Sequence, residues 1–493
     1  MSDPKYYPII YVRGYAGSQA EIEDTVATPH MGFNVGSTKY RQDNDKKVYP
    51  WVFESPLLRL MKEHGYVDAY RNGQLLPEGP IPRNSVWIFR YYDITSKDLG
   101  KGQRKEIEVY AKKLREFILH VRKAVDGDTL KDDFRVYLVA HSMGGLICRC
   151  YLQNPKIPGL DGKTPGNADK KGMDKLFTYA TPHGGIDLRN GLGWIDGLRD
   201  FLDINNSASF GPERMRKILA LAKGDDLRSL KNRFPVERAF SLVGTDSHDY
   251  AVAGGMVRKA VGPMSDGLVQ IKNAYVYGGP SAFVHRSHSG QYGIVNSEEG
   301  YQNLQRFLFG DTRATLYMED VRTKLPATDG ITASYYIEVE VSIRGIPVKV
   351  HRRTVDTESA IMLSKEQLES KSVFIHTAFL SMRNRMRQDI DSMGMTVQIR
   401  VIPQYNLKKT LWFDEHYEGS SIFNKGLVFE ITPQANSSKV MFRWLGQNKD
   451  NNPGTELQWK KTNSKITDGY MATIGFEEPM IRGCFRLLVS PWR

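Results

Sequence analysis

The sequence predicts an α/β fold with a mostly parallel, doubly wound sheet, joined to a C-terminal β-rich, sandwich-like domain. Three observations predict it. Apolar, strand-like runs alternate with stretches of helical period over residues 1–311, the rhythm of a parallel sheet covered on both faces. The run Val136-Tyr137-Leu138-Val139-Ala140-His141-Ser142-Met143-Gly144-Gly145-Leu146 passes from an apolar strand through a turn of small residues into a helix pattern. Over residues 312–493 apolar and polar side chains alternate instead, which means antiparallel sheets with one wet face. A chain of 493 residues exceeds what one compact domain holds, and the change of texture puts the boundary between 311 and 312.

Residues 7–12 read as a buried strand, ended by Arg13-Gly14-Tyr15-Ala16-Gly17. Residues 18–85 carry no dominant period and form an excursion with short helices, one of them over 55–62. Residues 85–92 are apolar and aromatic, as in a central strand. Over 103–125, Ile107, Tyr110, Ala111, Leu114, Phe117, Ile118 and Val121 recur at spacings of three and four, an amphipathic helix. A helix over 145–152 follows the strand before Ser142. Strands over 176–180, 239–243, 274–277 and 282–285 continue the series, and a helix over 297–309 closes it, with Tyr301, Leu304, Phe307 and Leu308 on one face. In the second domain Tyr335, Ile337, Val339, Val341 and Ile343 alternate with Glu338, Glu340, Ser342 and Arg344, and Met395 to Val401 alternate in the same way. Residues 427–431, 440–444 and 484–489 are further strands, interrupted by a helix over about 365–388.

Hydrophobic residues make up 40% and charged residues 25% of the chain, the balance of a water-facing globular protein. The net charge of +12 is spread without a dense Lys/Arg run. It reads as a solvated basic surface or, more sharply, as attraction to anionic membrane surfaces. With no basic stripe and no binding motif, nucleic acid is not an expected partner. Cys148, Cys150 and Cys484 are too few for a disulfide framework and fit a reducing compartment. No charged-then-apolar leader and no run of about 20 apolar residues occurs. The expected location is therefore cytoplasmic, with signal-independent export left open.

Ser142 stands at the apex of the strand–turn–helix run. A strained turn of this kind exposes a serine hydroxyl at the edge of a sheet, and small neighbours let the helix pack close to the strand. The common pattern is Gly-x-Ser-x-Gly; here Ala140 takes the first place, with Gly144 and Gly145 intact. The bland alternative is an ordinary strand–turn–helix corner. The sharper reading is a nucleophilic serine, which requires a base, an orienting acid and an oxyanion hole elsewhere in the chain.

Together with three other segments, this run resembles the lipase and lipid-ester branch of the α/β-hydrolase superfamily. Val12-Arg13-Gly14-Tyr15-Ala16-Gly17 is similar to the His-Gly loop after the first lipase strand. Thr181-Pro182-His183-Gly184-Gly185 resembles a segment of triacylglycerol lipases and of the inositol-deacylase family. Ser265-Asp266-Gly267-Leu268-Val269 is similar to the loop that carries the lipase acid. The resemblance covers about residues 7–310. It implies chain order serine, acid, histidine, with Asp266 as the acid and Asp246 or Asp249 as rivals. It implies His288 as the base, His285 being the alternative, and His183 and His248 as residues that line or shape the pocket. The amides of Met143 and Tyr15 would form the oxyanion hole, with Arg13 standing where the family carries histidine. Each of these candidates is expected just after a strand. Residues 186–235 are where family members carry lids, and Trp194, Ile195, Leu198, Phe201 and Leu202 form an apolar stripe there, with Ile218, Leu219 and Leu221 starting a second. Some bacterial relatives hold calcium through an aspartate two positions after the histidine; here that position is Gly290. No metal and no other cofactor is expected.

The function so implied is a serine hydrolase of carboxylic esters, of lipids above all, acting through an acyl-enzyme. The alternative is a lipid- or membrane-surface-binding protein whose hydrolase domain is secondary or inactive.

Overall fold

The computed structural model describes residues 5–14, 19–71, 74–75, 80–102, 105–127, 133–163, 171–186, 211–247, 264–290, 293–324, 331–370, 372–384, 390–408, 414–434, 438–446, 454–461 and 469–492. These pack as two compact units. One comprises Tyr6–Ser281 and His285–Leu308; the other comprises Phe309–Arg493 together with Ala282–Val284.

The first unit opens with strand β1 (Ile9–Val12), helix α1 (Gln19–Ala27) and a hairpin of β2 (Ser37–Gln42) and β3 (Val48–Phe53). Helix α2 (Pro56–His64) starts at Ser55, whose hydroxyl accepts from the Leu58 amide, and stops at Gly65 in the left-handed conformation. Short strands β4 (Val67–Asp68), β5 (Tyr70–Arg71) and β6 (Gln74–Leu75) lead to β7 (Ser85–Ile88). Then come α3 (Ile107–Asp126), β8 (Val136–His141), α4 (Met143–Gln153) and β9 (Met173–Tyr179). Helix α5 (Pro212–Leu219), β10 (Ala239–Gly244) and α6 (Glu298–Phe309) complete the series, and β11 (Ser281–Val284), whose last three residues count with the second unit, falls between the last two in the sequence.

The large sheet has seven strands in the order β11-β10-β9-β8-β1-β7-β4, and every pair from β10 to β4 is parallel. Strands β1, β7, β8 and β10 are buried along their whole length, which is why they read as continuous apolar runs and not as alternation. The seven apolar positions predicted for α3 include six fully buried ones, Ile107, Tyr110, Ala111, Leu114, Ile118 and Val121. This is the mostly parallel α/β sheet that the sequence predicts, with the strand-to-helix turn at its middle.

Two elements differ from expectation here. The predicted strand over 85–92 ends at Ile88, and Tyr91–Ile94 form a 3₁₀ turn. The predicted strand over 274–277 is irregular. Ala274 and Val276 are buried, but the Ala274 amide donates to the Ile271 carbonyl and the Val276 amide to Ser241 Oγ. An apolar run whose amides are taken by a turn and a side chain has none left for a ladder.

The second unit is antiparallel throughout its paired strands. One sheet joins β16 (Val373–Leu380), β12 (Thr312–Thr323), β24 (Ile481–Pro491), β23 (Tyr470–Glu478) and β22 (Lys460–Lys461) in that order. The other follows β14 (His351–Arg353), β13 (Ile331–Ile343), β17 (Met393–Lys408), β19 (Phe423–Pro433), β20 (Ser438–Trp444) and β21 (Thr455–Glu456), with β15 (Ile361–Ser364) and β18 (Asp414–Glu418) paired to its side. The register sets Ile337 against Val401, Val339 against Ile399 and Val341 against Val397. Those side chains form one core with Leu316, Phe485 and Leu487 of the first sheet, so the two sheets make a β-sandwich. The helix expected over 365–388 is only α7 (Lys365–Ser370); Val373–Leu380 is strand β16. Six consecutive residues of that strand are buried, so it lacks the alternation that marks a half-exposed strand.

Two sandwich histidines give a pH prediction. His351 and His376 are buried with ring centroids 4.3 Å apart. Burial holds His376 down to about 3, and burial, then His376 and Arg353, hold His351 well below the usual 6.5. Both are neutral in the folded chain and take protons more readily when unfolded. Their contribution is therefore complete above pH 6.5 and is lost as pH falls below it, by about 1.4 kcal/mol per pH unit for each ring. The urea midpoint of the full chain should drop between pH 7.5 and 5, and drop less in His376→Leu. Equal slopes for the two proteins would contradict this.

Candidate active site

Strand β8 delivers His141 to its end, and the chain turns at Ser142 with φ 53° and ψ −129° before α4 begins. A non-glycine residue rarely adopts this backbone, and holding it there costs about 1–3 kcal/mol. The turn is fixed from both sides. The Ser142 amide donates to the Tyr179 carbonyl at 2.9 Å. Its carbonyl accepts from the Gly145 amide at 3.0 Å and from Thr181 Oγ1 at 2.9 Å. Met143 follows as the first residue of α4, where backbone amides lack a partner within the helix and the dipole is positive.

His288 lies in the loop after β11, and its ring is buried between two groups. Nε2 stands 3.0 Å from Ser142 Oγ and Nδ1 stands 2.9 Å from Asp266 Oδ2. The backbone repeats the second contact, with the His288 amide donating to the Asp266 carbonyl at 2.9 Å. Asp266 is fully buried, and its other carboxylate oxygen accepts from the amides of Leu268 and Val269 at 3.0 and 2.7 Å. The Asp-Gly turn thus orients the carboxylate as well as reversing the chain. Unlike Ser142, Asp266 does not follow directly on a strand. It sits in a loop where, among the described residues, the sheet-like pairing is the bridge between Ser265 and Gln270.

The rival residues fall elsewhere. The Asp246 carboxylate is 3.9 Å from His285 Nε2, and His285 is half-exposed with Nδ1 3.5 Å from Thr245 Oγ1. Asp249 and His248 lie outside the described residues, as do Tyr15 and the stripe Trp194–Leu202. His183 is fully buried: Nε2 meets Thr178 Oγ1 at 3.0 Å, and its carbonyl accepts from the buried Arg149 of α4 at 2.8 Å. It braces the helix behind the turn. Ile218 and Leu219 of α5 are likewise core residues. Among the described residues no cluster of three or more His, Cys, Asp or Glu is placed to hold a metal ion.

Three supporting groups were not singled out by sequence. His141 Nε2 donates to the His288 carbonyl at 2.9 Å. Burial first, then His288 and Arg13, hold its pKa well below 6.5, so it stays a neutral donor. The chain after β1 is held by phenols of the 3₁₀ turn: Tyr91 Oη donates to the Arg13 carbonyl at 2.8 Å and Tyr92 Oη to the Gly14 carbonyl. They supply the support for which no histidine is present, while Arg13 itself reaches the Met31 carbonyl. The one available signal is the pair of tyrosines directly after an apolar strand, where a buried phenol needs a partner.

Gly14 shows how tightly this loop is pressed on the turn. A Cβ there would lie 2.4 Å from Ser142 Cβ and 2.9 Å from the His141 carbonyl oxygen, and neither can move aside. Gly14→Ala is expected to destabilise the chain by about 1–3 kcal/mol, read as a lower urea midpoint; an unchanged midpoint would show that the loop yields freely.

No family model and no curated protein matches the chain. Solved structures do. A mature lipase from Bacillus licheniformis is 16% identical, overlapping 63% of this chain and 94% of its own with a TM-score of 0.34. Phospholipase PlaB from Legionella pneumophila is 12% identical, overlapping 85% of this chain and 91% of its own with a TM-score of 0.33. A gene product of Listeria innocua is 12% identical over 62% and 94%, with a TM-score of 0.30. The overlaps are loose, and the fold assignment rests on this chain's own strand order and turn.

Proposed function

We propose that the chain is a serine hydrolase that cleaves carboxylic esters, lipid esters in particular, with Ser142, His288 and Asp266 as its catalytic triad. The observation that carries this reading is the unbroken chain of contacts from Ser142 Oγ to His288 Nε2, 3.0 Å, and from His288 Nδ1 to Asp266 Oδ2, 2.9 Å, at a strained turn. A serine hydroxyl is a poor nucleophile until a base takes its proton. His288 Nε2 accepts that proton as Oγ attacks the ester carbonyl, and Asp266 holds the Nδ1–H tautomer and stabilises the imidazolium. The negative oxygen of the tetrahedral intermediate is met by the amides of Met143 and Tyr15. Collapse breaks the ester C–O bond, His288 gives its proton to the leaving alkoxide, and Ser142 carries the acyl group. Water, activated by the same imidazole, then releases the acid and restores the serine.

The lipid end of this class is supported by the lipase-like segments at 12–17, 181–185 and 265–269 and by the net charge of +12, which favours anionic interfaces. Among the described residues no helix is long and apolar enough to cross a membrane. A panel of acylglycerols, phospholipids and short p-nitrophenyl esters, with products resolved by mass spectrometry, tests the reading. Release of acid by wild type and not by Ser142→Ala is expected; no turnover of any ester by the wild type would sink it.

A further inference from the structure

The oxyanion hole of the proposed hydrolase consists of two backbone amides, and a backbone amide is aimed by its peptide plane. In a trans peptide the N–H and the C=O point in opposite directions, so whatever grips the carbonyl oxygen also sets where the N–H points. The Met143 amide shares its peptide with the Ser142 carbonyl, and the Tyr15 amide shares its peptide with the Gly14 carbonyl. Both carbonyls are held by a buried hydroxyl. Thr181 Oγ1 donates to Ser142 O at 2.9 Å, beside the Gly145 amide at 3.0 Å. Tyr92 Oη donates to Gly14 O. Thr181 and Tyr92 each show 0% exposure, so water does not compete for either contact.

We propose that Thr181 and Tyr92 are positioning residues that hold, one hydroxyl to each carbonyl, the two peptides that supply the proposed oxyanion amides. This rests on the serine-hydrolase reading above. Donation to the carbonyl draws electron density toward oxygen and strengthens the N–H on the far side, an effect of cooperative hydrogen bonding on the order of 10–30% per bond.

The local sequence is arranged to place the first hydroxyl. Strand β9 ends at Tyr179, and Ala180 turns the chain with φ 48°, bringing Thr181 against the turn at Ser142. A Cβ at Gly145 would lie 2.1 Å from Thr181 Oγ1. The second glycine of the Gly144-Gly145 pair therefore makes room for that hydroxyl, which ties the segment at 181–185 to the serine turn. Thr181 Oγ1 also lies 3.5 Å from Tyr179 O, but one hydroxyl proton serves one acceptor well, and Ser142 O is the nearer. The second hydroxyl belongs to a run of two. Tyr91 Oη donates to the Arg13 carbonyl at 2.8 Å, so successive peptides entering the loop are gripped by successive tyrosines. Burial raises the Tyr91 phenol well above 10, so it remains a donor across the working range.

The test compares Thr181→Val, Thr181→Ser and Tyr92→Phe with wild type in the full chain. Readouts are kcat and KM for p-nitrophenyl butyrate, the pH profile, and inhibition by butylboronic acid, whose serine adduct places a negative oxygen in the hole. Removing an oxyanion donor outright lowers kcat by about 10²–10³, and losing only its aim should lower kcat about tenfold. KM and the acidic limb of the pH profile should stay unchanged, since His288 is untouched, and boronate affinity should fall in parallel with kcat. Thr181→Ser keeps the hydroxyl and should stay within about threefold of wild type. Tyr92→Phe removes a single atom and decides the matter alone if Thr181→Val does not fold. Unchanged kcat and boronate affinity in Tyr92→Phe and Thr181→Val would overturn the proposal. So would a loss in Thr181→Val that Thr181→Ser does not restore. Failure of the hydrolase reading looks different: wild type itself would neither turn over the ester nor bind the boronate.

Discussion

Ser142→Ala should lower kcat for a short p-nitrophenyl ester by about 10⁴–10⁶ while leaving the chain folded. The magnitude follows from what the hydroxyl does in the proposed mechanism. Without Oγ there is no atom to accept the acyl group, and what remains is rate enhancement from binding and oxyanion stabilisation alone. The turn itself should survive. Its hydrogen bonds run through the Ser142 amide and carbonyl, not through the side chain, and alanine is the smallest residue with the same backbone preferences. Circular dichroism and the urea midpoint should match wild type. Turnover of the variant at the wild-type rate would place the chemistry elsewhere.

Asp266→Asn should be the next most damaging change, at about 10⁴ in kcat. Its carboxylate is buried, and one oxygen is occupied by the amides of Leu268 and Val269. The other faces His288 Nδ1 at 2.9 Å. An asparagine held by the same two amides would keep its carbonyl oxygen there and turn its NH₂ toward His288. Nδ1 must then accept, which puts the ring proton on Nε2, where it cannot take one from serine. Asp246→Asn should change kcat by less than about threefold, since that carboxylate faces His285 at 3.9 Å. A large loss in Asp246→Asn with none in Asp266→Asn would move the orienting acid to the other loop.

Much of this arrangement was legible in the chain, and the reasons differ from part to part. The parallel sheet was readable because strands buried on both faces leave continuous apolar runs, as at Val136–Ala140. The sandwich was readable where one face is wet, as along Tyr335–Ile343, and unreadable at Ile375–Leu380, where six consecutive residues are buried and the period vanishes. The contacts among Ser142, Asp266 and His288 follow segments whose short-range chemistry is strong: a tight turn, an Asp-Gly pair and a histidine after a strand. The supporting hydroxyls were hidden for the opposite reason. Tyr92 meets Gly14 across 78 positions and Thr181 meets Ser142 across 39, and no local pattern records a partner that distant. The stretch over 274–277 misled because apolar burial alone does not say where backbone amides go.

The most direct test of the central claim is to label the full chain with a fluorophosphonate and map the adduct by peptide mass spectrometry. The account predicts one stoichiometric adduct on the peptide that carries Ser142, absent in Ser142→Ala and strongly slowed when His288 is replaced by alanine. An adduct on a different residue, or labelling that persists in Ser142→Ala, would contradict it.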